Sequence, residues 1–247
     1  MTIRRAAMPF SEDPRALVHY ELTRSQLVFS ICSIVAAFVL LVAFGVRLVM
    51  RLELWQWWIP AALLAGAATA DFASGLIHWA ADTWGEEDLP VIGHRLLVPF
   101  RVHHVNPDDF LRRRFIDTNG DVAFVAVPFL LALAAIPLDT AWGPAVAVFG
   151  FGFCGIGILT NQIHQWAHMP LPPRPVRVLQ DRGFILGRQE HAVHHERPYN
   201  ASYCITTGWC NRPLQALDFF RRLETVVTSV TGAPPREDDR RYQVRHG

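Results

Sequence analysis

The chain has 247 residues, 51% of them hydrophobic and 18% charged, with a formal net charge of +1. So small a charged fraction is unusual for a soluble domain, and near-neutrality leaves no electrostatic footprint for nucleic acid. Four cysteines, Cys32, Cys154, Cys204 and Cys210, form no C-x-x-C pair, and the first two sit in apolar runs. Reduced thiols are expected rather than a disulfide framework.

Residues 1–26 read as a polar N-terminal segment. No charge interrupts the chain from Leu27 to about Val46, and a span over about 27–48 is long enough to cross a bilayer core of about 30 Å. It starts too late and runs too long for a cleaved signal peptide. A second apolar run, about 55–81, opens with Trp55, Trp57 and Trp58, as an interfacial aromatic belt does. Only Arg51-Leu52-Glu53 separates the two, so they are expected to form a hairpin. The second run carries Asp71, His78 and Asp82 near one helical face. Ionisable groups in a span are costly and point first to function, a buried structural pair being the alternative.

Residues 83–120 form an Arg-rich connection holding His94, His103 and His104, where metal ligation competes with simple surface exposure. A third run, about 122–137, contains Pro128 and is short enough to predict tilting, a kink or partial embedding. A fourth, about 142–166, carries Gly150, Gly152, Gly155 and Gly157, which allow close helix packing. It ends in Asn161-Gln162-Ile163-His164-Gln165-Trp166-Ala167-His168, where His164 and His168 share a face at i, i+4. The Pro-rich stretch Met169 to Pro175 stops the helix, and 176–190 is expected along the membrane surface. Then comes His191-Ala192-Val193-His194-His195, three imidazoles within five residues. Neutral imidazole binds transition metals well. Asn211 and Pro213 mark the start of an amphipathic helix to about Val230, and 236–247 is a charged tail. The expected fold is all-α: a polytopic membrane bundle of about four transmembrane helices, with one domain over 27–235.

Arginine supplies the whole basic set, since the chain has no lysine. Four arginines precede the first span, five lie in 83–120 and twelve follow residue 168, leaving only Arg47 and Arg51 at the opposite face. The positive-inside rule then puts both termini and the middle loop in the cytoplasm. With four spans, all the histidine groups reach that one face. Setting aside His19, His94 and His246, eight remain: His78, His103, His104, His164, His168, His191, His194 and His195. One tetrahedral zinc needs four ligands, so eight imidazoles suffice for two ions. Such a site at the mouth of an apolar bundle suits iron and O2, because no side chain has the oxidising power to attack an unactivated C–H bond.

These residues resemble the histidine-rich membrane lipid desaturases, a family that includes plasmanylethanolamine desaturases, bacterial CarF proteins and a class of plant chloroplast desaturases. The resemblance rests on Asp71 to Gly85 (DFASGLIHWAADTWG), Phe100 to His104 (FRVHH), Asp117 to Asp121 (DTNGD), Asn161 to His168, His191 to His195, and Tyr203 to Asn211 (YCITTGWCN). It implies conversion of a 1-O-alkyl phospholipid to its 1-O-alk-1′-enyl form by a di-iron centre, with O2 and an external electron donor of the cytochrome b5 or ferredoxin type. The eight histidines would be ligands, with Asp71, Asp82 and Asn161 as further ligands or as acceptors orienting imidazole N–H groups. Arg95, Arg101 and Arg112 to Arg114 are expected at the lipid headgroup surface. An acyl-chain desaturase or hydroxylase is the nearest alternative; a membrane metal transporter and a zinc hydrolase are the others. The expected location is an integral membrane site, inner membrane in a bacterium or endoplasmic reticulum in a eukaryote.

Overall fold

The computed structural model describes residues 22–236. Among them there is no strand. Helix α1 (Arg24–Arg51) starts at a capping box, in which Thr23 and Gln26 each bond the other's backbone N–H. α2 (Trp58–Thr83) follows after a short hinge, so the expected hairpin forms, although Trp55 and Trp57 stay outside the helix and exposed. The 83–120 connection contains more order than its polarity suggested. A π-helical turn (Gly93–Leu97) runs into α3 (Val98–Val105), and α4 (Pro107–Leu111) follows.

The third span starts earlier than its apolar run. α5 (Phe115–Ala134) takes in the polar Asp117-Thr118-Asn119-Gly120-Asp121, because Asp117 accepts bonds from the Arg114 backbone N–H and guanidinium and so caps the helix start. Hydropathy does not register a capped polar turn. The fourth run is not one straight helix. α6 (Gly143–Gly157) and α7 (Thr160–His168) meet at a 40° bend, where the Leu159 N–H bonds Ile156 rather than the residue four back. Three helices are long and apolar enough to cross a membrane, four if the bent pair is one span.

α1 packs on α5, and α2 on α6. Gly66 and Gly152 permit the second contact. A Cβ on Gly66 would land on the Phe149 carbonyl, and one on Gly152 on the backbone of Leu63. The core between the pairs holds Ala37, Phe44, Leu130, Ala147 and Ile158. The outer surface is apolar: Val35, Val39, Val42 and Val46 of α1 are all at least half exposed. A surface of this kind belongs in lipid, so the chain is a multi-pass membrane protein.

The remaining helices, α8 (Arg174–Asp181), α9 (Arg188–His194), α10 (Asn211–Ala216) and α11 (Phe219–Thr231), complete a cap over one end of the bundle. The expected single helix to Val230 is two, because Asp218 adopts φ 50°, a left-handed conformation that stops α10 and begins α11.

Candidate metal centre

Four elements deliver the histidines. α2 brings His78, α3 brings His103 and His104, α7 brings His164 and His168, and α9 with its C-cap brings His191, His194 and His195. All eight converge. One group comprises His103, His164, His168, His191 and His195, the other His78, His103, His104 and His194, with ligand atoms in each within 4.8 Å of one another. His103 belongs to both. His19 and His246 lie outside the described residues, as does the side chain of His94.

The tautomers follow from the backbone. His78 Nδ1 lies 3.1 Å from the Tyr203 carbonyl and His194 Nδ1 2.8 Å from the Ala201 carbonyl. A carbonyl only accepts, so each Nδ1 carries the proton and each Nε2 presents a bare lone pair. His78 Nε2 and His103 Nε2 are buried with no hydrogen-bond partner. Elsewhere Nε2 faces Nε2: 2.9 Å for His104–His194, His164–His191 and His168–His191, 3.1 Å for His191–His195, and 3.3 Å for His164–His168. One N–H can donate to only one such neighbour, and His191 Nε2 has three, His164, His168 and His195, so these nitrogens cannot all be satisfied by one another and are better satisfied by a cation among them. Two nitrogens at about 2.0–2.1 Å from one metal stand about 2.9 Å apart at a right angle and about 3.4 Å apart at the tetrahedral angle. The donor set therefore fits transition-metal ions.

Electrostatics keep the donors neutral. Burial, and then neighbouring imidazoles, hold His103, His191 and His194 well below the usual histidine range, and the same causes bring His195 to about 3. Neutral imidazole is the metal-binding form.

The three polar residues expected near the ligands separate. Asp82 sits among them, its Oδ2 at 3.3 Å from His78 Nε2, 3.4 Å from His104 Nε2 and 3.6 Å from His194 Nε2. Asp71 serves another purpose. Its Oδ1 accepts from the N–H groups of Thr206, Thr207 and Gly208, and its Oδ2 from Cys210. It clamps the 203–210 strap to α2 and so places the Tyr203 carbonyl that orients His78. Asn161 donates to the Thr118 carbonyl at 2.6 Å, tying α7 to the first turns of α5. Arg101 is not at a headgroup surface. It is fully buried and donates to the carbonyls of Ala81, Trp84 and Gly85, closing the end of α2. Arg95 pairs with Asp121, and Arg113 with Asp109. Sequence alone assigns no role to the carbonyls of Tyr203 and Ala201 or to Tyr199, whose ring stacks on His104 at 4.8 Å. A carbonyl leaves no trace in residue identity; the 203–211 motif signals Tyr203 alone, and Tyr199 and Ala201 lie outside it.

A cavity of about 500 Å³ adjoins the histidines and is lined by residues of α1, α2, α5 and α6. Asp117, Asp121, Val125 and Phe129 line it at i, i+4, i+8 and i+12 along α5, so its wall passes from polar to apolar over about 18 Å. His103 and His164 line it as well. The Asn161–Thr118 bond puts the turn before His164 beside the polar end.

A lipid desaturase domain is matched over residues 67–238. The chain belongs to the lipid desaturase family. Desaturases are oxidoreductases, so the protein is an enzyme of that class. It is 41% identical over 215 residues, 83% of this chain and 74% of the relative, to a protein of Myxococcus xanthus named plasmanylethanolamine desaturase. It is 42% identical over 220 residues, 85% and 80% of the two chains, to plasmanylethanolamine desaturase 1 of Mus musculus. It is 38% identical over 178 residues, 70% and 52%, to the chloroplastic fatty acid desaturase 4 of Arabidopsis thaliana. No solved structure matches.

Proposed function

We propose that this lipid desaturase converts a 1-O-alkyl ethanolamine phospholipid to the 1-O-alk-1′-enyl form. His78, His103, His104, His164, His168, His191, His194 and His195 would hold two iron ions, with His103 at the junction of the two groups. The bound irons, with O2, supply the oxidising power needed to break two unactivated C–H bonds. The overall change is –CH2–CH2– + O2 + 2 H+ + 2 e− → –CH=CH– + 2 H2O. The electrons come from a separate carrier of the cytochrome b5 or ferredoxin type. The site faces the cytoplasm, in keeping with the arginine distribution.

The observation that carries the substrate assignment is the place of the histidines along the cavity. A lipid chain lies with its apolar end towards Phe129 and Phe153 and its polar end towards Asp117 and Arg95. His164 lies beside the polar end, through the Asn161–Thr118 tie. The carbons presented to the metal ligands are therefore those nearest the headgroup. A mid-chain acyl desaturase needs its ligands farther down the apolar wall. The two relatives with the highest quoted identities carry the matching name. The chain's own residues bind and orient: the apolar wall excludes water, and the carbonyl-anchored imidazoles hold their lone pairs inward.

Vinyl ethers hydrolyse in dilute acid to a fatty aldehyde, whereas alkyl ethers and acyl alkenes do not. Iron-replete protein in membranes, given a 1-O-alkyl phosphoethanolamine lipid, O2 and a reducing system, should yield acid-released aldehyde. None should form without O2. Desaturation of an acyl phospholipid instead, with no aldehyde, replaces this reading with an acyl-chain desaturase.

A further inference from the structure

The reaction consumes two protons and produces two waters, and the lipid cavity is a poor route for either. Its wall is mostly apolar, and a bound chain fills it. A second, separate crevice reaches the histidine cluster from another side. It holds about 50 Å³ and shares no lining residue with the first. That is room for about four waters at roughly 10–15 Å³ each. Its lining includes Asp82 and His104, which belong to the histidine site, and the exposed Pro198, Asn200 and Pro235, which mark its mouth.

We propose that this crevice is the aqueous port of the metal centre, admitting protons by way of bound water and releasing product water. The inference rests on the desaturase reading above. The two cavities divide the cluster, with His103 and His164 on the lipid side and His104 with Asp82 on the aqueous side. Between floor and mouth the walls carry Tyr199, Tyr203, Arg221, Glu224 and Arg236, donors and acceptors of the kind that hold a file of water. Their positions are fixed. Glu224 accepts from the Trp79 indole N–H at 3.0 Å and from Arg221 at 2.7 Å. Arg236 donates its backbone N–H to the Thr83 carbonyl at 2.9 Å and its guanidinium to the Asp82 carbonyl at 2.7 Å, which holds the 233–236 segment against the end of α2. Tyr199 lies flat on His104 and forms a wall beside the ring. Water can therefore reach the cluster edge while the lipid side stays dry. No atom need cross the lipid chain: substrate hydrogens leave towards the centre, solvent protons arrive through the crevice, and the electrons come from the external reductant.

The test introduces Asn200→Cys into the full chain, loads it with iron in lipid nanodiscs and blocks the mouth reversibly with a bulky, neutral, water-soluble methanethiosulfonate. The unlabelled variant serves as the folding control, and the unsubstituted protein treated with the same reagent controls for its own cysteines. Labelling should lower kcat at least ten-fold with the lipid KM within two-fold, and should raise the solvent deuterium isotope effect. It should also slow the loss of metal to EDTA at least five-fold, a readout that needs no turnover. Reduction with dithiothreitol should reverse all of these. If the unlabelled variant is itself impaired, Pro235→Cys takes its place. Unchanged metal loss and kcat on labelling overturn the port, and so does a rise in lipid KM alone, which would make the crevice part of the lipid path. A wild-type protein that desaturates no ether lipid overturns the substrate reading only, since metal loss still reports on the port.

Discussion

His194 is held from both ends. Its Nδ1 donates to the Ala201 carbonyl, and its Nε2 lies 2.9 Å from His104 Nε2 and 3.6 Å from Asp82. It is completely buried, with its Nε2 turned towards His104 and Asp82. A structural histidine in a core would ordinarily satisfy both nitrogens by hydrogen bonding. A lone pair aimed at a neighbouring imidazole nitrogen and next to a carboxylate is arranged for a cation. The substitution His194→Ala removes one donor from the group made by His78, His103 and His104 and leaves the other group intact. The expected result is insertion into the membrane at normal level, metal content falling from two ions per chain towards one, and turnover lowered at least a hundred-fold. Elemental analysis and the aldehyde assay read these separately. Full activity with two ions retained would remove His194 from the ligand set.

At the scale of elements, the close approach of α2 and α6 sets how His78 meets the rest of the cluster. Gly66 permits that approach, since any Cβ there meets the Phe149 carbonyl and Phe153 backbone. Gly66→Ala should therefore force the helices apart or strain them, at about 1–3 kcal/mol, the usual cost of overpacking. Gly155→Ala is the matched control, because a Cβ there meets nothing within 4 Å. A lower unfolding temperature for the first variant and an unchanged one for the second are expected in detergent-solubilised protein. These helices were legible because lipid-facing spans announce themselves as uninterrupted apolar runs, and His164 and His168 because i, i+4 spacing fixes a shared face. The start of α5 was not legible, since Asp117 to Asp121 looks like loop until Asp117 is seen capping the helix. Nor was the break at Asp218, which depends on a left-handed backbone at a residue that tolerates either hand. Arg101 misled for a related reason: arginine reads as surface, and only the carbonyls gathered at the end of α2 reveal a buried socket for it. Asp71 and Asp82 share one helix face and one sequence motif. They part company only because the 203–210 strap brings its N–H groups to Asp71 and the imidazoles surround Asp82.

For the whole molecule, the geometry fixes that the cap and its histidines sit at one end of the bundle, while the arginine count says which side of the membrane that end faces. Arg47, at the far end of α1, donates to the Ile136 carbonyl at 2.6 Å and so marks the opposite end, where the α1–α2 hinge lies with it. Of the twelve arginines after residue 168, the nine from Arg174 to Arg236 fall among the described residues, on the cap side. An end so rich in cations resists translocation, and the cap should remain in the cytoplasm. Single cysteines at Trp55, in the hinge, and at Asn200, in the cap, test this with a membrane-impermeant thiol reagent on sealed vesicles of known orientation. Both positions are exposed, so access depends on sidedness and not on local burial. The reagent should modify Trp55→Cys only from the non-cytoplasmic side and Asn200→Cys only from the cytoplasmic side. The reverse pattern would invert the site and deny it cytoplasmic electron carriers. Labelling of both from one side would mean an even number of spans between them, so that the bent α6–α7 pair enters and leaves by the same face.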